Sequence, residues 1–133
     1  MSWDALADLG YQAKQQVLRD YWARFGPFRF LVETGVWEGR GSLMQFASEG
    51  TEYVAVETDR SSAELAWARG YDVRVGDSAE LLPDILAARD GPAFFWLDAH
   101  LVTEAYEVNH SPLMAELETI LLWPYAADRK SVV

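Results

Sequence analysis

The stretch Phe30-Leu31-Val32-Glu33-Thr34-Gly35-Val36-Trp37-Glu38-Gly39-Arg40-Gly41-Ser42-Leu43 constrains this chain more than any other. An apolar, β-prone run meets an acid, a glycine-rich turn follows, and Ser42 to Ala47 reads as the opening of a helix. Strand, tight loop and helix N-terminus together form the geometry in which doubly wound α/β proteins hold nucleotide-like ligands. Glycines at 35, 39 and 41 can take positive φ and bring the backbone within contact of a ligand. Trp37 occupies the place where a dinucleotide fingerprint has a second close glycine, so a pyrophosphate would find this turn crowded.

The same grammar repeats downstream. Tyr53-Val54-Ala55-Val56-Glu57 is a second apolar strand ending in an acid, 24 positions after Glu33, followed by Thr58-Asp59 and a helix over about Ser62 to Arg69. A carboxylate there suits a ribose diol, because it can accept from both hydroxyls; a solvated strand-end acid is the plain alternative. Asp72 to Gly76 reads as a third strand whose alternation leaves one side polar, as at a sheet edge. Asp77 or Ser78 then caps a helix. Gly91-Pro92 separates that helix from Ala93-Phe94-Phe95-Trp96-Leu97-Asp98, apolar enough for the sheet centre. Asp98 falls on the rim where open α/β sheets bind ligands, with His100 two residues on; neutral imidazole is a competent base near neutral pH.

Outside these units, Trp3 to Phe25 reads as a leading helix with Leu6, Leu9, Ala13, Val17, Tyr21 and Phe25 on its apolar stripe, ended by Gly26-Pro27. A last helix begins near Ser111-Pro112, with Leu113, Leu117, Ile120 and Leu121 as its core face. Asp98, His100, Glu104, Glu107 and His110 offer ligand atoms for Mg²⁺, Mn²⁺ or Zn²⁺, but their spacing matches no compact metal motif; a solvated acidic lid over a substrate is the competing reading. Lys130 to Val133 looks like the start of a fifth strand.

Glu33-x-Gly35-Val36-Trp37-x-Gly39-x-x-Ser42 resembles the first motif of class I S-adenosylmethionine-dependent methyltransferases, nearest the metal-dependent small-molecule O-methyltransferases. The resemblance covers about Phe30 to Val133 and implies a site for S-adenosyl-L-methionine. Glu33, Gly35, Val36, Trp37, Gly39 and Ser42 would lie at its first motif, Glu57 and Thr58 at the ribose, and Asp77, Ser78 and Ala79 beside the adenine. It also implies that Asp98 contacts cofactor or substrate, or ligates a divalent metal such as Mg²⁺. The family's lysine shortly after that acid is missing, and His100 stands as its replacement, making Asp98 and His100 the catalytic candidates. Further strands that complete the family's sheet are not present after Val133, so the chain reads either as a fragment or as a minimal version that self-associates.

A chain of 133 residues, half of them hydrophobic and 14% aromatic, supports one core and hence one domain: a leading helical segment over 1–27 and a Rossmann-like core over 28–133. The expected architecture is a three-layer α/β/α sandwich, a truncated methyltransferase fold whose mainly parallel sheet has strand order 3-2-1-4-5. A net charge of −10 and no basic stripe argue against nucleic acid or anionic membrane as partners. Without cysteine there is no disulfide, thiolate metal site or catalytic thiol. No signal-like amino end and no run of about eighteen apolar residues make a cytoplasmic protein the default. The functional expectation is methyl transfer to a small-molecule acceptor, at a hydroxyl oxygen. A non-catalytic cofactor-binding module that forms homo-oligomers, and an NAD-type oxidoreductase, are the alternatives.

Overall fold

A computed structural model describes residues 3–98 and 113–124, with the backbone alone for 3–9. Helix α1 (Trp3–Phe25) leads into β1 (Phe30–Thr34). Two short 3-10 segments, Trp37–Gly39 and Ser42–Phe46, follow, then β2 (Glu52–Glu57) and α2 (Arg60–Ala68). The order continues β3 (Val73–Val75), α3 (Ser78–Ala87), β4 (Ala93–Leu97) and α4 (Leu113–Leu122).

Every strand pairing is parallel and the sheet order is β3-β2-β1-β4. This is a parallel α/β sheet of the Rossmann-like kind, with helices on both faces. The expected order 3-2-1-4-5 is thus found as 3-2-1-4 among the described residues, while the fifth-strand segment, Lys130 to Val133, lies outside them. β3 is an edge strand, as its alternation implies. β4, expected at the centre, pairs only with β1 among the described strands.

Side-chain alternation sorts the strands into two cores. Leu31, Tyr53, Ala55, Val73 and Phe94 face α1, α2 and the segment after β1, packing with Leu18, Val36, Leu43, Ala63 and Ala66. Phe30, Val32, Val54, Val56, Ala93 and Phe95 face the opposite way, against Leu82, Ile85 and Leu86 of α3 and Ile120 and Trp123 at α4. Asp59 and Asp77 cap α2 and α3 by accepting from Ser62 N and Ala79 N.

Three local expectations are corrected. The chain after β1 makes a 3-10 turn over Ser42–Phe46 rather than an α-helix, because the amides at its start are held by a strand side chain, Glu33, and not by a local cap. Among the described side chains of α1 the buried ones are Gln15 and Leu18, with Trp22 partly covered, while Val17, Tyr21 and Phe25 are 54%, 39% and 37% exposed; the side chains of Leu6 and Leu9 lie outside those described. The helix is turned so that large aromatics at Trp22, Phe28, Phe46 and Phe94 can meet; the Trp22 and Phe46 rings stack at 4.7 Å. In α4 the buried residues are Glu116 and Ile120, and Leu121 is exposed. Among the described residues no helix is long and apolar enough to cross a membrane.

Candidate functional site

Because all strands run the same way, their carboxyl ends share one rim. Gly35 donates to Val56 O at 2.8 Å, Gly76 to Glu57 O at 3.0 Å and Asp98 N to Thr34 O at 2.8 Å, so the residues after β1, β3 and β4 are tied strand to strand along it. Chain order reverses between β1 and β4, the place where open α/β sheets leave a crevice. Gly35 and Asp98 stand on its two sides.

Glu57 is the link between the bend and the rim. Its half-buried carboxylate accepts from Val36 N at 2.8 Å and, on the other oxygen, from Asp59 N at 2.8 Å, with the Thr58 hydroxyl at 3.4 Å. It therefore straps the loop after β1 to the turn after β2. A carboxylate has about four acceptor positions. The Thr58 hydroxyl, held weakly, can turn away and leave room for a ligand hydroxyl.

Glu33 is placed differently. It lies on the face under α1, 1% exposed, and accepts from Ser42 N at 2.5 Å, Leu43 N at 3.2 Å and the Tyr53 hydroxyl at 2.7 Å. Burial pushes its carboxyl up to about 7, although the Tyr53, Leu43 and Ser42 donors all pull the other way. The same burial, with the Glu33 carboxylate alongside, raises the Tyr53 phenol well above its usual range. Glu33 thus organises the start of the Ser42–Phe46 turn from inside the protein, and among the described residues no hydrogen bond of its side chain links it to the rim.

Two glycines of the motif serve the chain's own packing. A Cβ on Gly39 would lie 2.7 Å from Leu65 Cβ and 2.9 Å from Ala66 N, so this position lets the loop sit directly on α2. A Cβ on Gly41 would overlap the Tyr53 hydroxyl and the Glu33 carboxylate. Just before them Glu38 adopts a left-handed backbone, φ 52°, its amide held by Ser62 Oγ at 3.0 Å. Trp37 is 77% exposed and leaves the bend unfilled.

The loop amides are largely committed. Gly35, Val36, Glu38, Gly39 and Arg40 donate to Val56 O, Glu57, Ser62, Val36 O and Trp37 O, and Gly41, Ser42 and Leu43 donate to Met44 and Glu33. A phosphate cradle needs such amides facing outward. This loop does not supply them.

Asp98 is half-buried, with its amide also donating to Thr34 Oγ1 at 3.2 Å. Its carboxylate meets Lys14 Nζ of α1 at 3.3 Å, and the same ammonium lies 5.3 Å over the Trp96 ring. Lys14, which is not on the apolar stripe read for α1, gives no sign of this in the sequence; the rotated helix brings it to the rim. Tyr53 as a partner of Glu33 was not foreseen either, although a tyrosine at the head of an apolar strand beside one carrying an inward acid was the available signal. Asp77 accepts from Ala79 N at 2.9 Å, the capping role; Ser78 is buried, and its hydroxyl has no hydrogen-bond partner among the described residues. The structure therefore joins Val36, Glu57 and Thr58, and separately Glu33 and Ser42, while Asp77 to Ala79 reach them only through Gly76.

His100 lies outside the described residues, as do Glu104, Glu107 and His110. Among the described residues no group of three or more acid or histidine side chains is arranged to hold a metal ion. Asp98, the candidate ligand, is paired with an ammonium, which opposes a divalent cation there. Comparison with protein-family models, with curated proteins and with solved structures finds no match to this chain.

Proposed function

We propose that the chain binds S-adenosyl-L-methionine at the carboxyl rim of β1 and β2 and transfers a methyl group to a hydroxyl oxygen of a small molecule. The observation that carries the reading is Glu57, a half-exposed carboxylate at the tip of the strand next to the glycine bend, bonded to the bend through Val36 N. A ribose diol is the ligand group that such a carboxylate best serves. The committed amides of the bend weigh against a pyrophosphate and hence against NAD, whereas an adenosyl sulfonium carries no phosphate.

S-adenosylmethionine supplies an already activated methyl group, so little is asked of the protein beyond alignment and exclusion of water. Glu57 would hold the ribose, Gly35 and Val36 the backbone beneath it, and Asp77 with Ser78 and Ala79 the adenine. Asp98, at the switch point between β1 and β4, would accept the hydroxyl proton of an acceptor, with Lys14 orienting its carboxylate; both roles draw on their ion pair at that rim. His100, two residues further on, is the second proton acceptor of this proposal.

Calorimetric titration with S-adenosylhomocysteine and with NAD tests it. Binding of the former is expected, weakened by about 1–3 kcal/mol in Glu57→Ala as a hydrogen-bonded charged partner is lost. Unchanged affinity in that variant removes the ribose assignment, and preference for NAD removes the reading altogether. A second reading, a non-catalytic cofactor-binding module that self-associates, draws on the apolar surface of α4, where Met114, Leu121 and Leu122 are 71%, 76% and 81% exposed. Binding of S-adenosylhomocysteine by a sedimenting dimer, with no labelled methyl transferred to any hydroxylated acceptor, would favour it.

A further inference from the structure

A cleft lies away from the rim, on the face under α1. Its volume is about 490 Å³, between α1, the chain at 40–45 and the turn after α2. That volume is in the range of small-molecule sites, roughly 300–1,000 Å³, and well beyond what a single inorganic ion fills.

Its chemistry is that of an anion receptor. Arg29, Arg60, Arg74 and Arg89 each sit against a carboxylate; of the described arginines that do not, Arg19, Arg24, Arg40 and Arg69, the last two line the cleft. Arg69 is held in place by a bond to Gly39 O at 3.1 Å and by stacking 5.3 Å from the Tyr71 ring, which leaves guanidinium donors to spare. In a chain of net charge −10, two cations facing one hollow without carboxylates stand out against the prevailing field.

A buried donor points the same way. Gln15 is 7% exposed and lines the cleft, and its Nε2 has no hydrogen-bond partner among the described residues. The amide orientation is fixed by its neighbour: Gln45 Nε2 donates to Ser42 O at 3.0 Å and to Gln15 Oε1, so it is the Gln15 nitrogen that is left over. Buried donors are rarely left so. An oxyanion between Arg40, Arg69 and Gln15 would complete all three.

We infer that this cleft binds a small organic oxyanion, a carboxylate or a phosphate ester with a ring to lie against Tyr71 and Met44. The site is independent of the methyltransferase reading. NMR titration of the full chain with phenyl phosphate, benzoate, inorganic phosphate and benzyl alcohol tests it, with no S-adenosylmethionine present. Phenyl phosphate or benzoate is expected to shift the amides of 40–45 and 69–71, and the tighter of the two identifies the oxyanion. Arg40→Ala, a change at an exposed side chain with no partner among the described residues, is expected to weaken that binding tenfold or more, whereas Arg60→Ala, at a surface arginine outside the cleft, leaves it unchanged. Benzyl alcohol binding as tightly, an unaltered affinity in Arg40→Ala, or no shifted amides with any probe would each overturn the site. Inorganic phosphate matching phenyl phosphate would overturn its organic ligand.

Discussion

On the face covered by α3 and α4 the strands bury Phe30, Val32, Val54, Val56 and Phe95 against leucines and isoleucine. On the face under α1 they bury Glu33 and Tyr53 among Leu31, Ala55 and Phe94, and the covering layer there includes turns instead of a regular helix after β1. Apolar strand side chains need only shape, so on the first face they are roofed by helices, one of which also buries Glu116. The strand carboxylate of the second face needs donors, and the backbone after β1 bends to supply them. The cleft lined by Arg40 and Arg69 lies where that roof is irregular.

The comparison breaks hardest on its apolar side. Phe95 is fully buried and meets Trp123 edge-on at 5.8 Å. Phe95→Ala should destabilise the chain by about 3–5 kcal/mol in urea unfolding, the cost of a large core deletion plus its cavity. A loss under 1 kcal/mol would mean that α4 does not close this face.

On the polar side the expected signature is pH dependence. The Glu33 carboxyl is raised to about 7 in the fold, so between its ordinary value and pH 7 the folded chain binds more protons than the unfolded one. Its contribution is therefore full below about pH 4.5 and declines as pH rises through 7, by about 3 kcal/mol in all. Relief of repulsion among the other acids acts in the same direction, so the measurement is the difference between wild type and Glu33→Gln across pH 5 to 8. Parallel curves would show that Glu33 is ionised throughout.

The smallest effect belongs to the rim. Lys14 and Asp98 are about a third and two fifths exposed, and such pairs contribute roughly 0–1 kcal/mol. Lys14→Ala should change the unfolding midpoint little. It should, however, lower any methyl-transfer rate that depends on an oriented Asp98; a strong loss of stability instead would make Lys14 a structural post.

Strand positions were legible because each apolar run ends on a residue that cannot stay in a sheet interior: Thr34-Gly35, Glu57, Gly76 and Asp98. Periodicity told less about which side of a helix is buried. Val17 and Leu121 fit an apolar stripe, yet the aromatic cluster at Trp22 and the fit of Ile120 and Trp123 against Phe95 decide the rotation, and those contacts are long-range. The site shows the same division. Glu57 could be placed on the rim from its strand, whereas the inward turn of Glu33 depends on Tyr53 and on two amides nine and ten residues away.

The Glu57 strap has a mechanical corollary. One carboxylate spans two loops, so a guest that draws either oxygen toward itself must slacken the Val36 or the Asp59 amide. Arrival of a ligand at the rim is thereby registered in the bend beneath it, and hydrogen exchange at these two positions would be the place to watch for it.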